Sequence, residues 1–584
     1  MRFPETTSVL IVGGGPVGLT LSVLLSGYGV PHLLVEAHPG TSHHPKARGV
    51  SARSMEIFRR CGLEQEIRRA GLPASQVSFY RGRDLVDPDF VRTGVSGQEG
   101  GVERTPSPGL ICSQDALEPV LLRRARELAP DGVRFATRLV AFAEHGGGVR
   151  ADGLHADGFH GGGPHADEPH PDGPPGGGVH ATVEDGATGE RHTVRADWLV
   201  GCDGAASTVR EGAGIAMEGP TGLGHYLSVR FEAPLGEVVA DRASASYFLT
   251  PPGRGGFLAV DNDRHWIYQY PYDPAHEDVA RLVADRPRLA ELVRDAAGLP
   301  DLPVAVRSTM TWRMDARLAS AYRRSRVLLA GDAAHTVPPT GGHGMNTGLG
   351  DADNLAWKLA AVVGGTAGEA LLDSYEAERR PVARQVIDIS LANSRARSGY
   401  RIDDELLLTA AYRSTAVLDT VPEPTDPTDP AKPTATADPT SPTEPTATVR
   451  PALDPEHTHP VGAPGTRLPH LRLAGPTGPA STLDLVGPGF TLLAPAATES
   501  AWRSQADTAA AAGLPVAVRP LPPALLGADT PAEAVLVRPD GHIAWRAPHR
   551  PADETYLLTV LRQVLSAGRS RSSVRSPSAG APHP

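Results

Sequence analysis

The sequence predicts an α/β protein in three parts: a parallel sheet flanked by helices, an antiparallel sheet inserted into it, and a smaller α/β unit toward the C-terminus. Three observations carry this expectation. Apolar, strand-like runs at 8–12, 197–201 and 327–330 end in Gly- or Asp-bearing turns and lead into helical patterns. Residues 225–271 alternate with period two, as a separate antiparallel sheet does. A Pro/Thr/Asp-rich stretch at 421–451 reads as an extended linker before the last unit.

The first unit begins almost at once. Ser8-Val9-Leu10-Ile11-Val12 reads as a buried strand, followed by Gly13-Gly14-Gly15-Pro16-Val17-Gly18, a helical stretch over 19–28 and a second strand over 32–35 that ends in Glu36. This is the G-x-G-x-x-G pattern in a strand–helix–strand setting. Gly13 permits the tight turn, Gly15 lets a pyrophosphate approach the backbone, and Gly18 lets helix and strand pack closely. Glu36 is placed to accept from ribose hydroxyls. The bland alternative is an ordinary glycine turn.

A loop through Arg48 then leads to a helix opened by Ser51, with Ile57, Phe58 and Cys61 as its buried stripe. Arg53 reads as structural, and Arg48 as either a cofactor-reaching or a solvated loop residue. Residues 80–109 suggest a pair of strands. Ser113 is placed to cap the next helix, with Gln114 in its first turn, where an amide both donates and accepts. A strand is expected over 133–143.

Residues 144–180 are Gly-, His-, Pro- and Asp-rich and read as a disordered insertion; their histidines imply no fixed metal geometry. Asp203-Gly204 follow the strand over 197–202, and a helix is expected near Ser207. Cys202 reads as a small core residue rather than a nucleophile. In the period-two region, Tyr226, Phe248, Trp266, Tyr268 and Tyr270 are the aromatics placed to line a substrate cavity or to pack the sheet. Residues 276–298 look helical and 304–314 strand-like.

The segment that organises the chain is 325–346. A strand over 327–330 stops at Gly331-Asp332, a stiff Pro338-Pro339 turn and the glycines 341, 342 and 344 follow, and a long helix starts near Met345-Asn346. Such a helix start offers free N–H groups and partial positive charge. Asp332 is placed to accept from a polyol or ribose. A helical stretch over 369–397 is expected to break at Pro381. Residues 460–566 read as the small α/β unit, with a strand at 489–493, a helix at 501–512 and a hairpin at 534–545; the tail over 567–584 reads as disordered.

Composition bounds the function. The 584 residues are 40% hydrophobic and 21% charged, as in globular proteins, and the net charge of −11 argues against nucleic-acid binding. Three widely spaced cysteines form neither a disulfide framework nor a zinc pattern, which points to a reducing, cytoplasmic setting. Neither a signal segment nor a membrane span is expected.

Taken in order, the G-x-G-x-x-G turn, Cys202-Asp203-Gly204 and Gly331-Asp332 resemble the group A flavoprotein monooxygenases, the FAD-dependent aromatic hydroxylases of the para-hydroxybenzoate hydroxylase type. The resemblance covers about residues 7–397 and implies a Rossmann-like FAD-binding domain (1–80, 110–215, 315–400) with an antiparallel-sheet substrate domain (81–109, 216–314). It implies that Gly13, Gly15, Pro16, Val17, Gly18 and Glu36 hold the ADP half of FAD. Arg48 and Gln114 correspond to flavin-contacting residues, Leu139 to a backbone contact with adenine, and Asp203 and Gly204 to a motif serving FAD and NADPH. Asp332 would bind the ribityl chain, and Pro339, Gly344, Met345 and Asn346 the flavin ring edge. His343 departs from the glutamine that relatives often carry. The unit at 460–566 resembles the thioredoxin-like domain of polyketide- and rifamycin-type hydroxylases; it contains no cysteine, so a dithiol role is excluded.

The activity so implied uses NADPH or NADH, O2 and a flavin C4a-hydroperoxide to hydroxylate a bulky phenolic or polyketide aromatic, with no side chain as covalent catalyst. A monomer or homodimer is expected. Baeyer–Villiger insertion on the same fold, an FAD-free NAD-dependent dehydrogenase and a non-catalytic flavoprotein partner are the alternatives.

Overall fold

The computed structural model describes residues 3–72, 76, 78–94, 104–144, 177–395, 406–418, 462–475, 478–522, 534–547, 550–551 and 553–566. Most of the His/Gly-rich insertion, the Pro/Thr-rich linker and the C-terminal tail lie outside these residues.

The first sheet is built on the apolar runs. Its strands lie in the order Arg323–Arg324, Val327–Leu329, Arg191–Gly201, Thr6–Val12, His32–Val35, Val133–Arg134. Four neighbouring pairings in it, from Val327–Leu329 to Val133–Arg134, are parallel. Val9, Leu10, Ile11, Leu33, Leu34, Leu199, Val200, Leu328 and Leu329 are at most 1% exposed, as expected of a sheet covered on both faces. Thr137–Glu144 and Val179–Asp185 extend it as an antiparallel flap. Helices Pro16–Gly27 and Gly344–Val363 pack against it; Leu349, Ala352, Leu355, Ala356 and Leu359 of the latter are fully buried.

The second sheet has seven strands in the order Ala305–Met314, Gly224–Glu232, His265–Tyr272, Gly256–Ala259, Ser246–Leu249, Ser78–Gly82, Val91–Gly94. Only the pair of Ser246–Leu249 with Ser78–Gly82 is parallel within it. Period two sorts its side chains. Leu227, Val229, Phe231, Tyr247, Phe257, Trp266 and Tyr268 pack on one face with Leu289 and Val293 of helix Arg286–Ala297. Of the two readings open for Trp266 and Tyr268, cavity lining and sheet packing, the second holds: both belong to this sheet's own core.

The C-terminal unit is a four-stranded sheet, Val516–Pro520, Phe490–Ala494, Ala534–Val537, Ile543–Ala547, with helices Glu499–Ala511 and Tyr556–Val564. Its core takes in Trp357 and Leu371 from the first unit.

Two expectations need correction. Helix Asp373–Arg395 continues past Pro381 without a break. Proline removes one N–H bond, but Val382, Ala383, Val386 and Ile387 on the same stretch are buried, and that packing holds the helix together. Ser113 does sit at the start of helix Gln114–Leu128, but its side chain makes no capping bond.

No helix among the described residues is long and apolar enough to cross a membrane. Among those residues there is also no cluster of three His, Cys, Asp or Glu arranged to hold a metal ion.

Candidate active site

Strand register brings the distant motifs to one edge. Val12 pairs with Gly201 and with Val35, and Gly201 pairs with Leu329. The residues just beyond, Gly13, Glu36, Asp203 and Asp332, therefore gather at the carboxyl ends of neighbouring parallel strands, where open α/β sheets bind ligands. All four line a single cleft of about 2340 Å3. A drug-sized ligand needs roughly 300–1,000 Å3, so this cleft has room for more than one such molecule.

The glycines at its floor have separate reasons to be glycine. Gly13 has φ 110°, and a Cβ there would lie 2.3 Å from the Cys202 carbonyl oxygen. A Cβ on Gly18 would lie 2.0 Å from the carbonyl oxygen of Gly13. A Cβ on Gly15 would meet nothing within 4 Å. Gly15 instead lines the cleft with Pro16 and Val17, so its lack of a side chain leaves space for a ligand. Gly18 does not line the cleft and serves packing. Glu36 accepts from Gly14 N at 2.6 Å and from His38 N at 2.8 Å.

The two aspartates differ. Asp203 accepts from Ser207 Oγ at 2.5 Å and from Val209 N at 3.0 Å, so it braces the first turn of the short helix Thr208–Gly212, which Ser207 caps; Gly204 turns the chain with φ 80°. Burial raises its pKa against those bonds. Asp332 makes no side-chain hydrogen bond to any described residue. Its side chain is exposed to the open cleft, while the protein packed around it raises its pKa, opposed by His335 and Lys46. An acceptor in that position awaits donors from a ligand.

The turn carrying Asp332 is fixed from behind. Asp351 of the long helix accepts from Gly331 N at 3.1 Å, His335 Nε2 at 2.8 Å and Arg379 Nε at 2.8 Å, all buried. Burial alone would raise the Asp351 pKa, but His335 and Arg379 hold it below the ordinary value. This trio was missed in the sequence. The available signal was a set of charges, Asp351, Asp353 and Lys358, inside an otherwise apolar helix.

The helix N-terminus meets the cleft. Gly344, Met345 and Asn346 line it with Pro339, and His343 at the cap makes no side-chain capping bond. The first-turn N–H groups are therefore left for a ligand. The Asn346 side chain is committed elsewhere: its Nδ2 donates to the carbonyls of Gly49 and Gly342, and its Oδ1 accepts from Ser51 N and Ser54 Oγ.

Arg48 is buried rather than solvated. Its guanidinium donates to the carbonyls of Ala245 and Ala259 and to Ser246 Oγ at 3.1 Å, tying the first unit's loop to the second sheet. Gln114 lies in the first turn of its helix; its Nε2 donates to Glu118 at 2.6 Å, and its Oε1 accepts from Ala47 N at 3.3 Å. Leu139 is 4% exposed on the antiparallel flap. All three line the cleft. His44, another lining residue, contacts Ser308 Oγ at 3.2 Å, and burial with the nearby Arg230 charge pushes its pKa down to about 4, so it is neutral at pH 7.

The second sheet supplies the opposite wall. Cross-strand register sets out the rows of its cleft-facing side, and the cleft is lined by Ser246 and Leu258 in the first, Phe248, Gly256, Gln269, Ser228 and Met310 in the next, and Pro271, Tyr226 and Trp312 in the last. The first row meets the loop bearing Arg48; the Tyr226 and Trp312 rings stack at 4.4 Å and 14° in the last.

A glycine floor open at Gly15, an uncapped helix start and an uncommitted carboxylate fit the pyrophosphate, ring edge and sugar chain of a flavin dinucleotide. Comparison with known proteins agrees. Residues 6–160 and 175–390 match the family described as FAD binding domain, and 461–568 match the family described as aromatic-ring hydroxylase, C-terminal. The chain is 35% identical to the tetracenomycin A2 monooxygenase-dioxygenase of Streptomyces glaucescens, covering 96% of this chain and 97% of that one. It is 34% identical to the aklavinone 12-hydroxylase RdmE of Streptomyces purpurascens, over 95% and 98%. The solved ternary complex of aklavinone-11 hydroxylase with FAD and aklavinone superposes with a TM-score of 0.77 at 32% identity, over 97% of this chain and 100% of that one. The chain thus belongs to the FAD-dependent aromatic-ring monooxygenases, in the branch that carries the aromatic-ring hydroxylase C-terminal domain.

Proposed function

We propose that this flavoprotein monooxygenase hydroxylates a bulky polycyclic, polyketide-type aromatic, using NADPH or NADH and O2. The observation that carries the reading is the single large cleft, with dinucleotide-binding features on one wall and an aromatic sheet face on the other. The relatives named for tetracenomycin and aklavinone chemistry support the substrate class.

When bound, the flavin supplies the redox chemistry that activates O2 and delivers one oxygen atom to the ring. The chain supplies position and environment. Gly13, Gly15 and Gly18, with Pro16 and Val17, shape the seat for the pyrophosphate, and Glu36 takes the ribose once its bond to Gly14 N yields. Asp332, an uncommitted acceptor in the cleft, would take hydroxyl groups of the chain that links the two halves of FAD, and Asp203 would hold the turn beside it. Gly344, Met345 and Asn346 offer backbone N–H groups, and the helix start opposes negative charge on the ring edge. Pro339 stiffens the approach, and Leu139 contributes backbone at the far end. Arg48 and Gln114 close the side nearest the second sheet, and the packed sheet face keeps water from the reacting carbon.

The domain division inferred is 1–80, 110–215 and 315–400 for the cofactor and 81–109 and 216–314 for the substrate; Ser78–Gly82, at the first boundary, is a strand of the second sheet. Three free cysteines fit a reducing, cytoplasmic setting, and the net charge of −11 fits a small-molecule partner rather than a nucleic acid. A monomer or homodimer is inferred.

The test is the visible spectrum of the purified protein, followed by NADPH oxidation with a panel of polycyclic phenols. Flavin bands and oxidation stimulated by one phenol, with a product heavier by one oxygen, are expected. A protein that stays colourless after added FAD refutes the reading.

A further inference from the structure

The middle row of the second sheet carries a polar group whose chemistry is fixed by its neighbours. Gln269 lines the cleft. Its Oε1 accepts from Trp312 Nε1 at 3.2 Å and from Ser228 Oγ at 3.0 Å; Trp312 Nε1 also donates to Ser228 Oγ at 3.0 Å. An indole nitrogen is donor only. Rotating the amide by half a turn would set Nε2 against that donor, so the oxygen must face Trp312 and the NH2 group must face away. Gln269 Nε2 has no hydrogen-bond partner among the described residues. The amide, which in general can donate or accept, is here committed to donating into the cleft.

The surroundings say what meets that donor. Gln269 pairs across the strands with Ser228, and Pro271 with Tyr226. The backbone of the stacked Tyr226–Trp312 pair is thus one row along, about 6–7 Å by strand rise, and the Trp312 indole reaches back to the Gln269 amide. Arg48, on the cofactor side, binds Ser246 one row the other way. A planar polycycle that reaches from the flavin side toward the aromatic pair crosses Gln269, which offers it N–H groups and no acceptor.

We infer that Gln269, pinned by Trp312 and Ser228, is a specificity-determining donor that takes a ring carbonyl oxygen of the substrate. The substrate is then a polycyclic ketone or quinone, not a plain polycyclic phenol. This rests on the monooxygenase reading above and narrows it. Trp312 and Ser228 are positioning residues, since they act through Gln269.

The test uses the full-length, FAD-loaded protein and two probes of one skeleton, 2-hydroxyanthraquinone and 2-hydroxyanthracene, at a mildly acidic pH that keeps both phenols neutral. Isothermal titration calorimetry reads their affinities. Wild type is expected to prefer the quinone. Gln269→Glu keeps an oxygen for Trp312 and Ser228 but presents an acceptor to the cleft, and Gln269→Leu presents nothing. Both should weaken quinone binding by about ten-fold or more, because a desolvated carbonyl without a donor loses its hydration uncompensated. Anthracene binding should stay within about three-fold. Trp312→Phe keeps a ring and frees the amide to turn, so quinone binding should fall by a smaller factor, roughly three-fold, with less change for the anthracene. Equal loss of both probes, no loss, or a wild type that binds the quinone no better overturns the inference. The flavin bands of the same sample report separately on the monooxygenase reading: their absence refutes that reading, whereas the probe preference stands or falls on the calorimetry.

Discussion

Arg538→Met tests whether the C-terminal unit is an integral support of the cofactor-binding unit. Arg538 is fully buried in the C-terminal unit and grips Glu378 of helix Asp373–Arg395 with two parallel bonds, 2.6 and 2.9 Å; its Nε donates to Asp540 at 3.1 Å. Glu378 also accepts from Lys358 Nζ at 2.8 Å, Asn354 Nδ2 at 2.6 Å and Ser414 Oγ at 2.6 Å. Methionine keeps most of the stem volume and removes the charge, leaving two buried carboxylates with one lysine between them. Breaking a buried pair from one side costs about 3–5 kcal/mol. At about 2–4 °C per kcal/mol for units of this size, the melting temperature should fall by roughly 6–20 °C. Because a chain of several units need not melt in one step, the melt is followed both by circular dichroism and by release of flavin fluorescence. Lys358 lies on the helix whose N-terminus lines the cleft, so both signals should shift together. Adding Glu378→Gln should restore part of the loss, since it removes the uncompensated charge. A shift below about 2 °C, or flavin release that does not move, refutes the reasoning.

Two glycines separate binding from folding: Gly15→Ala should leave the melting temperature nearly unchanged yet weaken FAD by about ten-fold or more, whereas Gly18→Ala, 2.0 Å from the Gly13 oxygen, should lower the yield of folded protein. Equal thermal losses in the two variants contradict this. Asp332→Ala should fold normally and purify with little flavin, because the carboxylate serves no partner in the protein itself; full flavin occupancy after dialysis speaks against its role. Acid should loosen the C-terminal unit. Burial raises the Glu378 and Asp540 pKa values, but Arg538 outweighs it, aided by Lys358 at the first and His542 at the second, and both stand below their ordinary values. Carboxyls depressed in the folded state give stability that is fully present above the unfolded pKa values, about 4, and is lost as pH falls below them. Melts stepped from about pH 6 to pH 3 should be flat down to about pH 4–5 where these groups are concerned and decline below that; a flat course all the way to pH 3 removes these carboxylates from the argument.

The parts of the fold legible in the sequence are those where backbone rules act locally. The glycine turn, the strand ends at Asp203 and Asp332 and the start of the long helix follow from periodicity and from the steric needs of glycine, and the relatives agree on the fold they imply. What stayed hidden depends on long-range pairing. Arg48 looked like a loop residue because the carbonyls that bury it, Ala245 and Ala259, lie about two hundred residues away. For Trp266 and Tyr268 the sequence left cavity lining and sheet packing both open, because alternation gives two faces without saying which is inner. Pro381 looked like a break because its local cost is visible, whereas the core contacts of Val386 and Ile387 are not.

The same division explains why a cofactor is easier to read from this chain than a substrate. The cofactor wall works through backbone: N–H groups at a helix start, glycines that leave room, and one carboxylate kept free. Those features need particular residues in a particular local order, so the sequence displays them. The substrate wall works through side chains drawn from strands far apart in the chain, and its chemistry is decided by neighbours rather than by residue type. Gln269 is the clearest case. Its amide is ambiguous until Trp312, forty-three residues on, supplies a donor that settles which end faces the ligand. Substrate choice in this fold can therefore change through the neighbours of a contact residue as well as the residue itself, because a change at Trp312 or Ser228 resets the polarity that Gln269 presents.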